Sequence, residues 1–114
     1  MSSTKFLCRS EQLVEGEFVE LQTEAAGKPL FLVGTRYQGH PRVWMNSCPH
    51  QGRPMNWAPN RFLSDDDGRL VCAAHGAVFE LDEGRCVSGP CQNAELRSLD
   101  LTENDGEVLF AVNT

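Results

Sequence analysis

No run of apolar residues approaches the 18 or more that a membrane-crossing helix requires, so neither a membrane span nor a membrane partner is expected. The opening residues Met1-Ser2-Ser3-Thr4-Lys5-Phe6 lack the charged-then-apolar pattern of a secretion signal and have no twin arginine; a cytoplasmic location follows as the expectation. Helical periodicity is almost absent, which removes the helical bundle and the α/β classes. Five cysteines are an odd number in 114 residues, a poor basis for a disulfide framework and a better one for reduced thiols with a metal. Acidic residues are missing from one long stretch. Positions 25–64 contain neither Asp nor Glu but carry Lys28, Arg36, Arg42, Arg53 and Arg61, although the whole chain has a formal charge of -6. So acidic a protein is a poor ligand for nucleic acid.

What is present reads as one domain, able to bury about two-thirds of the surface of its unfolded chain, built of short strands and turns. Glu17 to Thr23 and the apolar run Leu30-Phe31-Leu32-Val33 form a hairpin around Ala26-Gly27-Lys28-Pro29, the second strand being buried. Gln38-Gly39-His40-Pro41 turns the chain into Val43-Trp44-Met45, which leads to Cys48. Pro54 to Asn60 has no period and reads as ordered loop. Asp65-Asp66-Asp67-Gly68 turns into Arg69-Leu70-Val71, which delivers Cys72. Ala77 to Leu81 pairs with Arg85-Cys86-Val87 across Asp82-Glu83-Gly84, and Ser88-Gly89-Pro90 ends that strand. A last hairpin joins Glu95–Leu101 to Glu107–Val112 around Asn104-Asp105-Gly106. The fold class is all-β, an antiparallel sandwich or barrel. Residues 1–43 and 91–114 form its base, and a motif-bearing unit of about 44–90 is inserted between them.

Two stretches carry the chemistry: Cys48-Pro49-His50-Gln51-Gly52 and Cys72-Ala73-Ala74-His75-Gly76. Each offers one thiolate and one imidazole, with glycine just beyond the histidine. Two loops that each supply one sulfur and one nitrogen can place both sulfurs on one metal and both nitrogens on another. A single closed tetrahedral zinc site is the competing use of the same four groups, although zinc fingers usually pair cysteine with cysteine and histidine with histidine along the chain.

These motifs closely resemble the Rieske family, whose signature is Cys-x-His-x-Gly, then Cys-x-x-His-Gly, then an aromatic residue and a Gly-Pro. The matching positions are Cys48, His50, Gly52, Cys72, His75, Gly76, Phe79, Gly89 and Pro90. The 21 residues between His50 and Cys72 are more than compact members of the family have, consistent with an insertion within Met55 to Asp67. The resemblance implies one [2Fe-2S] cluster per chain, with Cys48 and Cys72 on one iron and His50 and His75 on the other, the imidazoles toward solvent. With two thiolates the oxidised centre is neutral, whereas four would make it a dianion. Adding an electron to it therefore costs less, and such centres lie at roughly -150 to +300 mV. High-potential relatives add a cysteine to each ligand loop and place a Ser and a Tyr near the cluster. Here those positions hold Arg53, Ala74, Ala77 and Phe79, which implies fewer donors to sulfur and a potential near the low end.

The remaining singular residues have plainer uses. His40 reads as a solvated turn residue, the Asp65–Asp67 run as a solvated turn with too few ligands for calcium, and Cys8, Cys86 and Cys91 as buried thiols, with a Cys86–Cys91 disulfide as the alternative. Gly52 and Gly76 read as letting backbone approach the cluster, Pro90 as part of a covering loop. Met55 and Trp57 are either loop packing or an apolar rim that, if exposed, marks a docking patch.

The resemblance implies a free-standing ferredoxin, an electron carrier and not an enzyme, between a reductase and a terminal oxygenase or similar enzyme. The small subunit of an assimilatory nitrite reductase is the alternative, and a structural zinc module a third. An oxygenase is set aside because 114 residues hold no large catalytic domain.

Overall fold

A computed structural model describes residues 2–49, 53–74, 76–90 and 92–113, and the structural statements concern those residues. Ten strands in three antiparallel sheets carry them, with one turn of 3-10 helix at Ser10–Gln12. The all-β expectation is met.

The first sheet is a meander of β2 (Val19–Ala25), β3 (Lys28–Tyr37) and β4 (His40–Met45). Its turns are the dipeptides Ala26-Gly27 and Gln38-Gly39, with φ of 53° and 77° in one and 51° and 81° in the other. Two-residue turns with both φ positive twist in the sense that paired strands require, which is why glycine occupies the second position. The second sheet has the order β1-β10-β9, from β1 (Ser2–Arg9), β10 (Glu107–Asn113) and β9 (Leu101–Asn104), with Asp105-Gly106 as its turn.

Two expectations need correction here. Strand β1 was not foreseen: Ser2-Ser3-Thr4-Lys5 has no apolar alternation, and its partner β10 lies a hundred residues away in sequence. The final hairpin is shorter than Glu95–Leu101 suggests, because the backbone of 96–99 bonds elsewhere. Met45 N–H donates to the Arg97 carbonyl (2.8 Å), Leu99 N–H to Val43 (3.0 Å) and Leu96 N–H to Gly84 (2.8 Å), tying the sheets together.

Strand β3 is covered on both faces from Leu32 to Thr35. Leu32 joins Cys8, Leu13, Val43 and Val108 in a core between the first two sheets. Gly34 faces the same way, and a Cβ there would come within 2.9 Å of both Leu13 and Leu21. Val33 and its cross-strand partner Trp44 point oppositely, into a second core. Burial of this strand starts at Leu32, later than expected, since Phe31 is 56% exposed.

The third sheet, β5-β6-β7-β8, is built from β5 (Leu63–Ser64), β6 (Leu70–Val71), β7 (Val78–Phe79) and β8 (Cys86–Ser88). Asp65 closes its first turn: one carboxylate oxygen accepts from the Asp67 and Arg69 N–H groups (3.0 and 2.8 Å), and the other from Arg69 Nε (2.8 Å). The aspartate run is thus a self-bonded turn. No helix among the described residues is long and apolar enough to cross a membrane.

Candidate metal centre

The two cysteine loops are closed in the same way. Cys48 N–H donates to the Arg53 carbonyl (2.8 Å), and Cys72 N–H donates to the Ala77 carbonyl (2.7 Å). Each cysteine therefore starts a four-residue excursion that ends on its own backbone amide, and the sequence puts His50 inside the first and His75 inside the second. His50 and His75 themselves lie outside the described residues, as do Gln51, Gly52 and Cys91. In the second loop Gly76 N–H also donates to the Cys72 carbonyl (2.8 Å), and Gly76 adopts φ +75°, which a side-chain-bearing residue rarely takes up.

Both thiols are buried, Cys48 at 1% and Cys72 at 0% exposure, in the core formed by Val33, Trp44, Met55, Leu70, Phe79 and their neighbours. Ordinary strand alternation delivers Cys72: Leu70 is buried, Val71 half-buried and Cys72 buried. Sequence spacing did not reveal the link between the loops. The Met55 carbonyl accepts from Ala73 N–H (3.1 Å), and Met55 N–H donates to the Asn46 side-chain carbonyl (2.8 Å). Asn46 in turn donates through Nδ2 to Asn56 (2.8 Å), which donates to Glu20 on β2 (2.8 Å). Residues 53–56 are thereby stitched to the first loop, the second loop and the first sheet. The only sequence signal for this was an amide residue two positions before Cys48.

The alternatives for Met55 and Trp57 separate. Met55 is completely buried and Trp57 is 61% exposed. Gly89 has φ +100°, and a Cβ on it would lie 2.8 Å from the Ala77 Cα, so the Gly89-Pro90 loop rests directly on the second cysteine loop. Ala77 and Phe79 are both fully buried and carry no side-chain donor. Away from the centre, burial pushes the Cys8 thiol up to about 11, which keeps it protonated and inert at neutral pH. Cys86 is buried and its Sγ donates to the Ser88 carbonyl (3.2 Å); its relation to Cys91 lies outside the described residues.

The family model for the Rieske [2Fe-2S] domain matches residues 3–105. The chain belongs to the Rieske family. The cofactor of a Rieske domain is a [2Fe-2S] cluster, and the donors fit it: two buried thiols at the bases of matched loops, each loop with a histidine in its sequence, packed among described residues that are apolar. Over 48 residues, 42% of the chain, this Rieske domain is 42% identical to the vanillate O-demethylase oxygenase subunit of a Pseudomonas species. It spans only 13% of that relative's length. Among solved structures it resembles the terminal oxygenase of carbazole 1,9a-dioxygenase from Novosphingobium sp. KA1, with TM-score 0.76 and 18% identity over 94% of the chain but 29% of the oxygenase. It also resembles the ferredoxin of Sphingomonas yanoikuyae B1, with TM-score 0.71 and 22% identity, covering 95% of the chain and 97% of the ferredoxin. At these identities the two structural likenesses establish the fold.

Proposed function

We propose that this Rieske domain is a one-electron carrier that receives electrons from a reductase and passes them to a terminal oxygenase or a similar enzyme. The observation that carries the reading is the matched closure of two loops, each with a buried cysteine at its base. Cys48 and Cys72 bind one iron as thiolates, and His50 and His75 bind the other through their imidazoles. A cluster bound there would take up and release a single electron. Residues 44–90 act as the cluster-binding unit and residues 1–43 and 91–114 as its base. A ferredoxin shares this fold over 97% of its own length, which supports the carrier reading.

The apolar shell around Cys48 and Cys72 keeps water from the sulfur end. Ala77 and Phe79 offer no hydroxyl to the sulfurs, so added negative charge gains little stabilisation and the potential falls in the lower part of the Rieske range. A redox titration is expected to give a one-electron midpoint below about +100 mV, and Phe79→Tyr a higher one. A wild-type midpoint above that value contradicts the argument. Reduction by a stand-alone reductase, without copurification of a large partner, is the expected behaviour of a carrier. An obligate complex would favour a subunit role.

A further inference from the structure

A cleft of about 500 Å³ opens beside the second cysteine loop, walled by Arg53, Pro54, Trp57, Pro59, Ala73 and Ala74. It connects the places where the two ligand motifs meet the surface: Arg53 closes the first loop, and Ala73-Ala74 immediately precede His75 in the sequence. Among the described residues Trp57 is the most exposed of the large apolar side chains, and it sits on a closed turn. Trp57 N–H donates to the Arg61 carbonyl (3.0 Å) and Arg61 N–H to the Ala58 carbonyl (2.9 Å), closing a tight turn. The preceding Asn56 is clamped by Asn46, Glu20 and the Ala58 carbonyl. These bonds fix the backbone that carries the indole.

The charges at this cleft are unlike those of the rest of the molecule. Arg53 and Arg61 are exposed and form no ion pair among the described residues. The one acid in the cleft's wall, Glu20, is already engaged, accepting from Asn56 Nδ2 (2.8 Å) and from Asn60 N–H. An apolar socket with one uncommitted guanidinium in its wall, Arg53, and a second, Arg61, on the turn that carries Trp57 suits an apolar side chain flanked by carboxylates.

We propose that this cleft is the docking site for the redox partner, which presents a carboxylate-ringed apolar protrusion to Trp57, Arg53 and Arg61. The proposal rests on the electron-carrier reading and adds the partner's chemistry and the seat it uses. Local charge, and not the net charge of -6, then governs encounter.

The test uses the cluster-loaded protein with cytochrome b5, a haem protein whose exposed haem edge is ringed by carboxylates. Reduced protein gives one electron to the ferric haem, leaving oxidised cluster and ferrous haem. Binding is measured by calorimetry, and electron transfer by stopped flow, each across a salt series. A neutral benzoquinone serves as an acceptor that needs no docking. Wild type is expected to bind more weakly as salt rises. Arg53→Glu should reverse that slope, and Trp57→Ala should weaken binding and slow transfer on the order of tenfold. Both variants should still reduce the quinone, which shows that their clusters are loaded and redox-active. Glu107→Lys on β10 changes charge by as much, in another sheet, and is expected to leave the Trp57 dependence intact.

Wild-type binding that strengthens with salt overturns the proposal, as does equal binding by wild type, Arg53→Glu and Trp57→Ala. A Trp57-dependent dimer in sedimentation, with unchanged affinity for cytochrome b5, overturns it in favour of a second copy of the chain. Failure to oxidise even with the quinone refutes the carrier reading, and the docking site with it.

Discussion

Strands β2, β3 and β4 run 7, 10 and 6 residues, whereas β5, β6, β7 and β8 run 2, 2, 2 and 3. The long strands have continuous registers and two-residue turns, so backbone ladders and alternating burial are enough to specify them. The short strands are below the usual five or six residues, and ladder bonds alone cannot hold them. Their region relies on loop bonds, on the shared core around Met55 and, by the proposal above, on metal. By that account one part of the chain is held by its own ladders, and the order of the other depends on what it binds.

The largest break in that contrast is expected from Cys72→Ser, which replaces a buried thiol. The variant should lose iron and colour, and by hydrogen exchange the amides of residues 53–90 should lose protection while those of β2 and β3 keep theirs. Uniform loss across all three sheets would show that the regions are not separable. Met55→Ala is next. It should cost about 2–5 kcal/mol by urea denaturation, as a large-to-small change at a fully buried site does, and should speed release of iron to a chelator. Asn46→Ala leaves the Met55 N–H and the Asn56 side-chain carbonyl without partners, a loss of about 1–3 kcal/mol. Asn46→Asp retains one acceptor and should recover part of that loss.

The smallest expected effect lies in the long-stranded part. Arg36 hydrogen-bonds both oxygens of Glu103, at 3.1 and 2.6 Å, and holds that carboxyl down to about 2 from its ordinary 4.5. A carboxyl depressed on folding adds stability that is fully present above its unfolded value and is lost as pH falls toward the folded one. The urea midpoint should therefore fall between about pH 5 and 3 more steeply in wild type than in Glu103→Gln. Equal slopes would mean that the ion pair contributes nothing measurable.

How much the sequence disclosed follows the same division. Dipeptides such as Ala26-Gly27 and Gln38-Gly39 announce hairpins because their backbone demands are local, and the cysteine and histidine spacings announce the metal because ligand chemistry is local too. Strand β1 was silent, since only a partner at the far end of the chain makes a strand of it. The Asn46–Met55–Ala73 stitching was equally silent, because a side-chain amide bonding a distant backbone has no period. The fates of Met55 and Trp57, two residues apart and one buried and one exposed, depend on bonds that no alternation pattern encodes.

The most direct test of the central claim, a Rieske cluster on the two matched loops, is metal and sulfide analysis of the purified protein combined with EPR after dithionite reduction. Two irons and two sulfides per chain with a rhombic signal are expected, all lost in Cys48→Ser and Cys72→Ser. A colourless protein holding one zinc per chain, with no signal on reduction, would contradict it.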